Sequence, residues 1–457
     1  MKNLILNTDS YKTSHYLQYP PGTEYVSSYI ESRGGRFDET LFFGLQAFIH
    51  EYLSSPITRA DIDEAEALLA THGVPFNRAG WEYILHTHSG YLPIEIQSVA
   101  EGSLVPTGNV LVQVMNTDPR CAWLATYLET ALLRAVWYPT TVASQSRACR
   151  QLIGRYLDET ADNRDGLAFK LHDFGARGAS SEETAALGGA AHLVSFMGTD
   201  TLSAVLAARR YYGAEMAGFS IPAAEHSTIT SWGREGEAAA YANMLSRFGG
   251  DGRLVAVVSD SYDLWYAIDR LWGEELKSQV ETMGGTLVVR PDSGTPVEVV
   301  PEAIERLMAK FGYRTNSKGF RVLPDCIRLI QGDGVSLASI EAILQTLKDQ
   351  GISADNLAFG MGAELLQKVN RDTQRFAMKA SAIRINGEWR DVYKDPLTDP
   401  GKRSKSGRLA LVRTDDGYAT VREDELGARD NELIKVFRNG ERLVNWTFAE
   451  IRARAAG

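Results

Sequence analysis

The stretch Thr286–Gly294 reads TLVVRPDSG, a short apolar run that ends directly in a loop of arginine, aspartate and glycine. The same pattern recurs between residues 166 and 372, with helical patterns between the runs. Seven runs are predicted as strands: Ala168–Leu171, Leu193–Phe196, Gly218–Ile221, Leu254–Ser259, Thr286–Val289, Ile327–Ile330 and Leu357–Phe359. Short apolar strands that alternate with helices predict an α/β fold, here an irregular parallel α/β barrel.

The loops that follow these runs carry residues suited to a phosphorylated ligand. They contain arginines (Arg177, Arg290, Arg371), aspartates (Asp260, Asp292, Asp333) and glycines (Gly332, Gly360, Gly362). Arginine binds phosphate through two donors, aspartate binds ribose hydroxyls or Mg²⁺, and glycine lets the backbone approach. In a parallel barrel all these strand ends share one rim. No P-loop or GxGxxG motif opens a helix, so the residue types indicate a sugar-phosphate enzyme without giving its substrate.

His226 lies in Gly218–Thr230, which reads GFSIPAAEHSTIT, directly after Glu225 and close to the hydroxyl of Ser220. A helical pattern over Ser227–Met244 places it near a helix N-terminus, where free N–H groups favour anions. An imidazole beside a carboxylate acts as a nucleophile or a general base. A lone histidine is more often a core residue with satisfied neighbours. The surrounding rim loops favour the reactive interpretation.

The segments before and after the barrel mix helices with antiparallel strands. Within residues 1–165, Ala122–Trp137 and Val142–Asp158 are predicted as two helices that Pro139 separates. Residues 373–457 contain the hairpin turns Asn386-Gly387 and Asn439-Gly440 and a final helix from Thr447. We expect residues 373–457 to rejoin the N-terminal part as one mixed α+β domain.

The composition is that of an ordinary soluble globular protein of 457 residues, with 44% hydrophobic and 23% charged residues. The formal net charge of -10 argues against binding to nucleic acid or to an anionic membrane. Three widely spaced cysteines form no metal or redox motif, which is typical of reduced thiols in the cytoplasm. The start of the chain is unlike a signal peptide, and no apolar run reaches the length of a membrane span.

Nine ordered motifs resemble those of the nicotinamide phosphoribosyltransferases over nearly the whole chain. They are Thr8–Lys12, Trp137–Pro139, Lys170–Gly175, Gly198–Thr201, Ser220–Thr230, Val257–Asp263, Arg290–Gly294, Ile330–Gly334 and Lys402–Lys405. The resemblance implies formation of nicotinamide mononucleotide and pyrophosphate from nicotinamide and phosphoribosyl pyrophosphate with Mg²⁺. It also implies that ATP phosphorylates the active-site histidine, His226. The implied fold is a type II phosphoribosyltransferase, assembled as a head-to-tail homodimer with active sites at the subunit interface.

The resemblance also implies a role for each site residue. Phe174, with Tyr11 of a second subunit, stacks on the pyridine ring, Asp200 accepts from the carboxamide, and Arg290 lies at the ring and ribose phosphate. Asp292 and Asp333 hold the ribose, while Gly332 and Gly362 approach its phosphate. The pyrophosphate contacts Arg177 together with a second subunit's Arg33, Arg371 and Lys379. Glu225 and Asp260 support His226. The metal ligands are not implied.

Three positions depart from the family pattern. The loop at Arg33–Phe37 is shorter than in animal relatives, Ala256 replaces a common serine, and Ala363-Glu364 follows Gly362 where relatives carry more glycine.

Three alternatives to this function remain open: nicotinate phosphoribosyltransferase, a non-catalytic sugar-phosphate binder and a phosphohistidine carrier. Asp200 disfavours nicotinate, because two carboxylates would face each other. The basic loop Lys402–Arg408 fits either a solvated surface or a lid over phosphates.

Overall fold

The computed structural model describes residues 3–398, 403–415 and 417–456. They form two compact units. The terminal unit comprises the described residues of Met1–Ser144, Ala207–Ala214 and Val369–Gly457, and the barrel unit comprises Gln145–Leu206 and Glu215–Lys368. The sequence pattern had predicted that the barrel part runs from 166 to 372. The barrel unit instead starts within a helix at Gln145, and Arg371 belongs to the terminal unit.

The strands are numbered here in chain order. They are β1 Thr23–Ser32, β2 Glu39–Leu41, β3 Ile94–Ser98, β4 Leu104–Pro106, β5 Val110–Asn116, β6 Leu171–Asp173, β7 Gly198–Thr199, β8 Leu254–Val258, β9 Thr286–Arg290, β10 Arg314–Thr315, β11 Arg321–Val322, β12 Ile327–Gln331, β13 Leu357–Met361, β14 Phe376–Ile385, β15 Glu388–Asp391, β16 Leu409–Thr414, β17 Gly417–Arg422, β18 Ile434–Arg438 and β19 Glu441–Arg442.

The α-helices range from single turns to a helix of 32 residues. They are Leu45–Phe48, Arg59–His72, Arg78–Thr87, Leu124–Tyr127, Glu129–Thr160, Glu182–His192, Leu202–Tyr212, His226–Thr230, Glu237–Phe248, Leu264–Tyr266, Lys277–Thr282, Pro296–Phe311, Leu337–Asp349, Ala363–Leu366 and Phe448–Ala456. None of the helices described is long and apolar enough to cross a membrane.

The terminal unit is built on an antiparallel sheet of seven strands in the order β15-β14-β1-β5-β3-β18-β19. β14 pairs with β1 from Phe376 opposite Ser32 to Ile385 opposite Thr23. β18 likewise pairs with β3. Side chains from both chain ends, such as Ile30 and Phe437, share the buried core of the terminal unit. The prediction that the two chain ends form one mixed α+β domain is therefore confirmed.

The barrel unit contains a parallel sheet of six strands in the order β7-β6-β13-β12-β9-β8. The segment Phe219–Ala223 connects its two edges, because Phe219 bridges Gly198 of β7 and Ala223 bridges Ala256 of β8, both in parallel. The strands thus follow one another in chain order around a closed, irregular barrel. Strands such as β8 and β9 consist mostly of valine and leucine and are buried along most of their length. This confirms the predicted fold class.

Three predicted elements are wrong in detail. Pro139 lies inside the continuous helix Glu129–Thr160. The Thr141 hydroxyl donates to the Trp137 carbonyl in this turn. The Pro139 ring packs against Gly44, where a Cβ atom would collide with it. Burial on this helix therefore outweighs the helix-breaking tendency of proline. The strand predicted at Leu193–Phe196 is formed instead by Gly198–Thr199. The helix predicted over Ser227–Met244 is interrupted, because Gly233 takes a positive φ of 74°.

Candidate active site

The carboxyl ends of the parallel strands carry the predicted site aspartates. Asp260 follows β8, Asp292 follows β9 and Asp333 follows β12. His226 begins a short helix directly after the segment that closes the barrel, with Glu225 as its N-cap. The barrel topology thus brings side chains separated by more than a hundred residues in sequence to one rim.

His226 faces two carboxylates and one hydroxyl. Its Nε2 lies 3.5 Å from Oδ2 of Asp292 and 3.8 Å from Oδ1 of Asp260. Its Nδ1 lies 3.2 Å from the hydroxyl of Ser261. The imidazole is 46% exposed, so a ligand in solution has access to it. This is the geometry of a reactive or ligand-binding histidine, and it excludes the buried core histidine considered from sequence.

Asp260 is the most buried member of this group, with a side chain only 2% exposed. Its Oδ2 accepts the main-chain N–H of Asp292 at 3.0 Å. Its Oδ1 has no hydrogen-bond partner among the described residues. A buried carboxylate oxygen without a partner is costly, and a cation compensates that cost. Asp260 and Asp292 together thus present carboxylate oxygens of the kind that a divalent cation prefers.

Glu225 has a different environment from the one expected. Its carboxylate accepts a hydrogen bond from the Ser227 hydroxyl, and its main-chain N–H donates to the Thr228 hydroxyl. The polar contacts of the His226 ring within the described residues are with Ser261, Asp260 and Asp292. Adjacency in sequence thus pointed to the wrong carboxylate, because the first residue of a helix and its cap project in different directions.

Phe174 lies against two glycines at the same rim. A Cβ atom added at Gly360 would come within 2.0 Å of the Phe174 ring. At Gly332 a Cβ would lie 3.3 Å from Oδ1 of Asp292, 3.5 Å from the Phe174 ring and 3.7 Å from Cδ of Arg290. Gly332 therefore marks the point where an aromatic ring, a carboxylate and an arginine converge. Arg290 Nε lies 3.8 Å from the same Asp292 oxygen.

Asp200 follows β7 and is exposed. Its Oδ1 accepts the hydroxyl of Ser220 at 2.5 Å, so the segment that closes the barrel orients this carboxylate. Its main-chain N–H donates to the carbonyl of Asp173, the residue before Phe174. Burial raises the pKa of Asp173 to about 6 and lowers the pKa of His172. Phe174 and Asp200 thus directly follow the ends of two adjacent strands, which the bond from Asp200 to Asp173 joins.

Two further rim positions were singled out from sequence. Arg177 is exposed in the turn after β6, and Gly362 precedes the short helix Ala363–Leu366. Glu364 forms an ion pair of 3.0 Å with Lys368. Lys368, just after this helix, therefore partly neutralises the charge of Glu364.

Four predicted site residues lie in the terminal unit. Tyr11 is exposed in a short helix, Ser10–Leu17. Arg33 donates to the buried Glu31 at 2.9 Å, and Arg371 donates to Asp372. Burial lowers the pKa of Lys379, and the charges of Arg33 and Arg371 lower it further. Arg33, Arg371 and Lys379 therefore share one cationic region, which lies in a different unit from His226.

The basic loop can be followed only in part, because Lys402 lies outside the described residues. Lys405 pairs with Glu31, and Arg408 forms an ion pair of 2.6 Å with Glu423. Glu31 was not singled out from the sequence, although it contacts both Arg33 and Lys405. A charged residue in a strand gives no sign that its side chain will be buried.

Comparison with known proteins identifies the family to which this chain belongs. The profile of the Nicotinate phosphoribosyltransferase (NAPRTase) family matches residues 169–441, and that of the Nicotinamide phosphoribosyltransferase N-terminal domain matches residues 3–96. The chain belongs to the nicotinate phosphoribosyltransferase family. Its relatives include proteins named nicotinamide phosphoribosyltransferase from Xanthomonas campestris pv. campestris, at 54% identity, and from Acinetobacter baylyi, at 33%. These alignments cover 100% and 98% of the chain, and 98% and 96% of the relatives.

Solved structures of this phosphoribosyltransferase fold resemble the chain as a whole. Nicotinate-nucleotide pyrophosphorylase from Pyrococcus furiosus has a TM-score of 0.62 at 15% identity and covers 99% of this chain and 95% of its own. Human nicotinic acid phosphoribosyltransferase has a TM-score of 0.57 at 17% identity, with 98% and 92% covered. At these identities the likeness establishes the fold shared with the family, an α/β barrel joined to a mixed unit.

Proposed function

We propose that the chain is a nicotinamide phosphoribosyltransferase, which joins nicotinamide to phosphoribosyl pyrophosphate and releases nicotinamide mononucleotide and pyrophosphate. The full-length similarity to proteins of that name supports the activity. The observation that carries the choice of substrate is the Asp200 carboxylate, which Ser220 orients beside the Phe174 loop. A carboxylate accepts hydrogen bonds from an amide and repels an acid. The product is a pyridine nucleotide, which places the reaction in NAD salvage.

The pyridine ring has a natural binding surface at Phe174. The ring of Phe174 lies over Gly360 and close to Gly332, where no side chain intervenes. Offset stacking contributes about 0.5–1.5 kcal/mol beyond the burial of area. We propose that Tyr11 of a second copy covers the other face, and its exposure in the terminal unit supports this.

The ribose and its phosphate fit the rim beside this ring. We assign Asp292 and Asp333 to the ribose hydroxyls. The backbone at Gly332 and Gly362 is assigned to the 5′-phosphate, and Arg290 to the region between the pyridine ring and that phosphate. The convergence of Phe174, Asp292 and Arg290 on Gly332 supports this order. We assign Arg177, together with a second copy's Arg33, Arg371 and Lys379, to the pyrophosphate. A homodimer would thereby complete the site.

The reaction needs no strong base. The lone pair of the pyridine nitrogen forms a bond to C1 of the ribose, and the bond from C1 to the pyrophosphate oxygen breaks with its electron pair leaving on the pyrophosphate. Positive charge develops on the sugar and negative charge on the leaving group. The carboxylates of Asp292 and Asp333 stabilise the former, and the arginines stabilise the latter.

Mg²⁺ fits the residues present. The orphaned Oδ1 of the buried Asp260 and the neighbouring Asp292 would hold it, with substrate phosphates as further ligands. When bound it supplies charge neutralisation for the departing pyrophosphate.

We further propose that ATP phosphorylates His226, so that the γ-phosphorus forms a bond to an imidazole nitrogen and ADP departs. The exposed ring supports this, because Ser261 lies close to its Nδ1 and two carboxylates lie close to its Nε2.

We propose that the enzyme acts in the cytoplasm. Cys121, Cys149 and Cys326 form no disulfide bond within the described residues, which fits a reducing compartment.

The test is chromatography of a mixture of the purified chain, nicotinamide, phosphoribosyl pyrophosphate and Mg²⁺. Formation of nicotinamide mononucleotide and pyrophosphate in equal amounts supports the proposal. Product from nicotinate alone would replace the substrate and keep the chemistry. No product from either ring would favour a sugar-phosphate binder.

A further inference from the structure

The buried carboxylate of Asp173 links the ends of strands β6 and β7. Its Oδ1 accepts the main-chain N–H of Gly175 at 2.7 Å. Its Oδ2 accepts the hydroxyl of Thr199 at 3.4 Å. One side chain thereby holds the loop after β6 and the loop after β7 at a fixed separation.

These two loops carry Phe174 and Asp200, which the proposed function assigns to the pyridine ring and its carboxamide. The main chain adds one more tie between the loops, because the Asp173 carbonyl accepts the N–H of Asp200 at 2.9 Å. Within the second loop, the Thr199 hydroxyl accepts the N–H of Thr201 at 3.0 Å. The Asp173 carboxylate therefore acts on the two recognition residues without being exposed at the rim.

The helix Glu182–His192 packs closely against this carboxylate. A Cβ atom at Gly189, in the helix packed behind it, would lie 2.8 Å from Oδ2 of Asp173 and 2.5 Å from Cβ of Ala204. The carboxylate consequently has no room to move toward the helix, and its position fixes the positions of the Gly175 N–H and the Thr199 hydroxyl. The sequence gives this aspartate no distinguishing feature beyond its place in the motif before Phe174.

We propose that Asp173 is a positioning residue that sets the distance between the stacking ring of Phe174 and the amide-recognising carboxylate of Asp200. This inference rests on the proposed function. It assigns nicotinamide affinity and amide selectivity to a buried residue that does not touch the substrate.

The test compares Asp173→Asn with the parent in steady-state kinetics. Asparagine keeps an oxygen for the Gly175 N–H, but its NH₂ group cannot accept from Thr199. We expect the KM for nicotinamide to rise about tenfold, while the KM for phosphoribosyl pyrophosphate and the kcat change by no more than about twofold. Thr199→Val removes the same link from the other side and should change the nicotinamide KM in the same direction. If Asp173→Asn does not fold, Thr199→Val alone tests the proposal.

Glu237→Gln is the matched control, because Glu237 is a buried acid of the same unit that accepts a hydroxyl, that of Tyr241. It should lower the melting temperature without a selective rise in the KM for nicotinamide. Equal changes in both KM values, or none, in the Asp173 and Thr199 variants would overturn the positioning role. A parent that makes no product from nicotinamide would instead overturn the proposed function and this inference with it.

Discussion

The main-chain N–H of Asp292 donates a hydrogen bond of 3.0 Å to Oδ2 of Asp260. This bond ties the loop after β9 to the end of β8, so that two carboxylates from adjacent strands face the same imidazole. Asp260 Oδ1 is left buried and available to a cation or to the charged form of His226. The pair thus combines fixed geometry with an unsatisfied negative charge, which is the arrangement expected where charge develops during a reaction.

Asp260→Asn tests whether this charge supports the reaction. Asparagine can still accept the Asp292 N–H, so the loop should keep its place while the charge is lost. We expect kcat/KM for nicotinamide to fall by about a hundredfold to a thousandfold, the range typical of lost electrostatic stabilisation. The control is Asp263→Asn, since the Asp263 side chain caps the next helix by accepting the main-chain N–H groups of Trp265 and Tyr266. Equal losses in both variants would contradict a specific role for Asp260.

His226→Ala tests the proposed phosphorylation. We expect ATP to stimulate the parent and to leave the variant unaffected, with slow ATP-independent synthesis retained, because the residues that bind the two substrates are unchanged. The measurement is the initial rate with and without ATP, together with acid-labile labelling by γ-labelled ATP. Stimulation or labelling that persists in the variant would show that the phosphate goes elsewhere.

Asp200→Ser tests the choice between amide and acid. Removing the carboxylate takes away an acceptor for the amide and the repulsion toward nicotinate. We expect the KM for nicotinamide to rise about tenfold and nicotinate to become a measurable substrate. Ser220→Ala is a useful comparison, because it frees the carboxylate without removing its charge. An unchanged preference in Asp200→Ser would rule out this residue as the source of selectivity.

Gly360→Ala tests the position of the Phe174 ring. The added Cβ would come within 2.0 Å of the ring, so the ring must move. We expect a loss of about 1–3 kcal/mol in the free energy of unfolding and a higher KM for nicotinamide. Gly166→Ala is the control in the same unit, since the atom nearest to its new Cβ is 3.5 Å away. Comparable effects at both sites would refute the steric argument.

The pH dependence of stability has one clear contributor in the terminal unit. Glu101 accepts the main-chain N–H groups of Gly44 and Gln46, yet burial raises its pKa from 4.5 to about 6. The folded state therefore retains a proton that the unfolded chain releases as the pH rises through 4.5. The contribution of Glu101 to the free energy of unfolding should fall by about 2 kcal/mol between pH 4.5 and 6 and then level off.

Glu101→Gln removes this titration. Glutamine loses one of the two hydrogen bonds, which shifts the stability by a constant amount at every pH. Denaturant unfolding of both proteins from pH 4.5 to 7 should show a fall that is smaller by about 2 kcal/mol in the variant, in which Asp173 still titrates. Parallel pH profiles would contradict the assignment to Glu101.

The barrel was predictable because local sequence and topology agree there. Runs such as Thr286–Val289 are apolar, short and followed at once by polar loops, so their burial and their common rim follow from the pattern. Pro139 and the Ser227–Met244 helix were not predictable in the same way. Tertiary packing holds a proline within a 32-residue helix, and Gly233 interrupts a region whose side-chain pattern is helical.

The site could be predicted as a set of residues but not as a set of contacts. Sequence identified His226, Asp260 and Asp292, but it placed Glu225 beside Asp260 at the imidazole and did not place Asp292 there, because adjacency in sequence is visible and adjacency across strands is not. Asp173 and Glu31 act from buried positions, which no single residue type reveals. Arg371 follows the last barrel strand closely in sequence but folds with the terminal unit.

The measurement that tests the account most directly is the ratio of kcat/KM for nicotinamide to kcat/KM for nicotinate in the parent protein, with phosphoribosyl pyrophosphate and Mg²⁺ saturating. The account predicts a ratio of at least about a hundred in favour of nicotinamide, the size of effect expected when a like charge in the site excludes the acid. A ratio near one, or a preference for nicotinate, would contradict it.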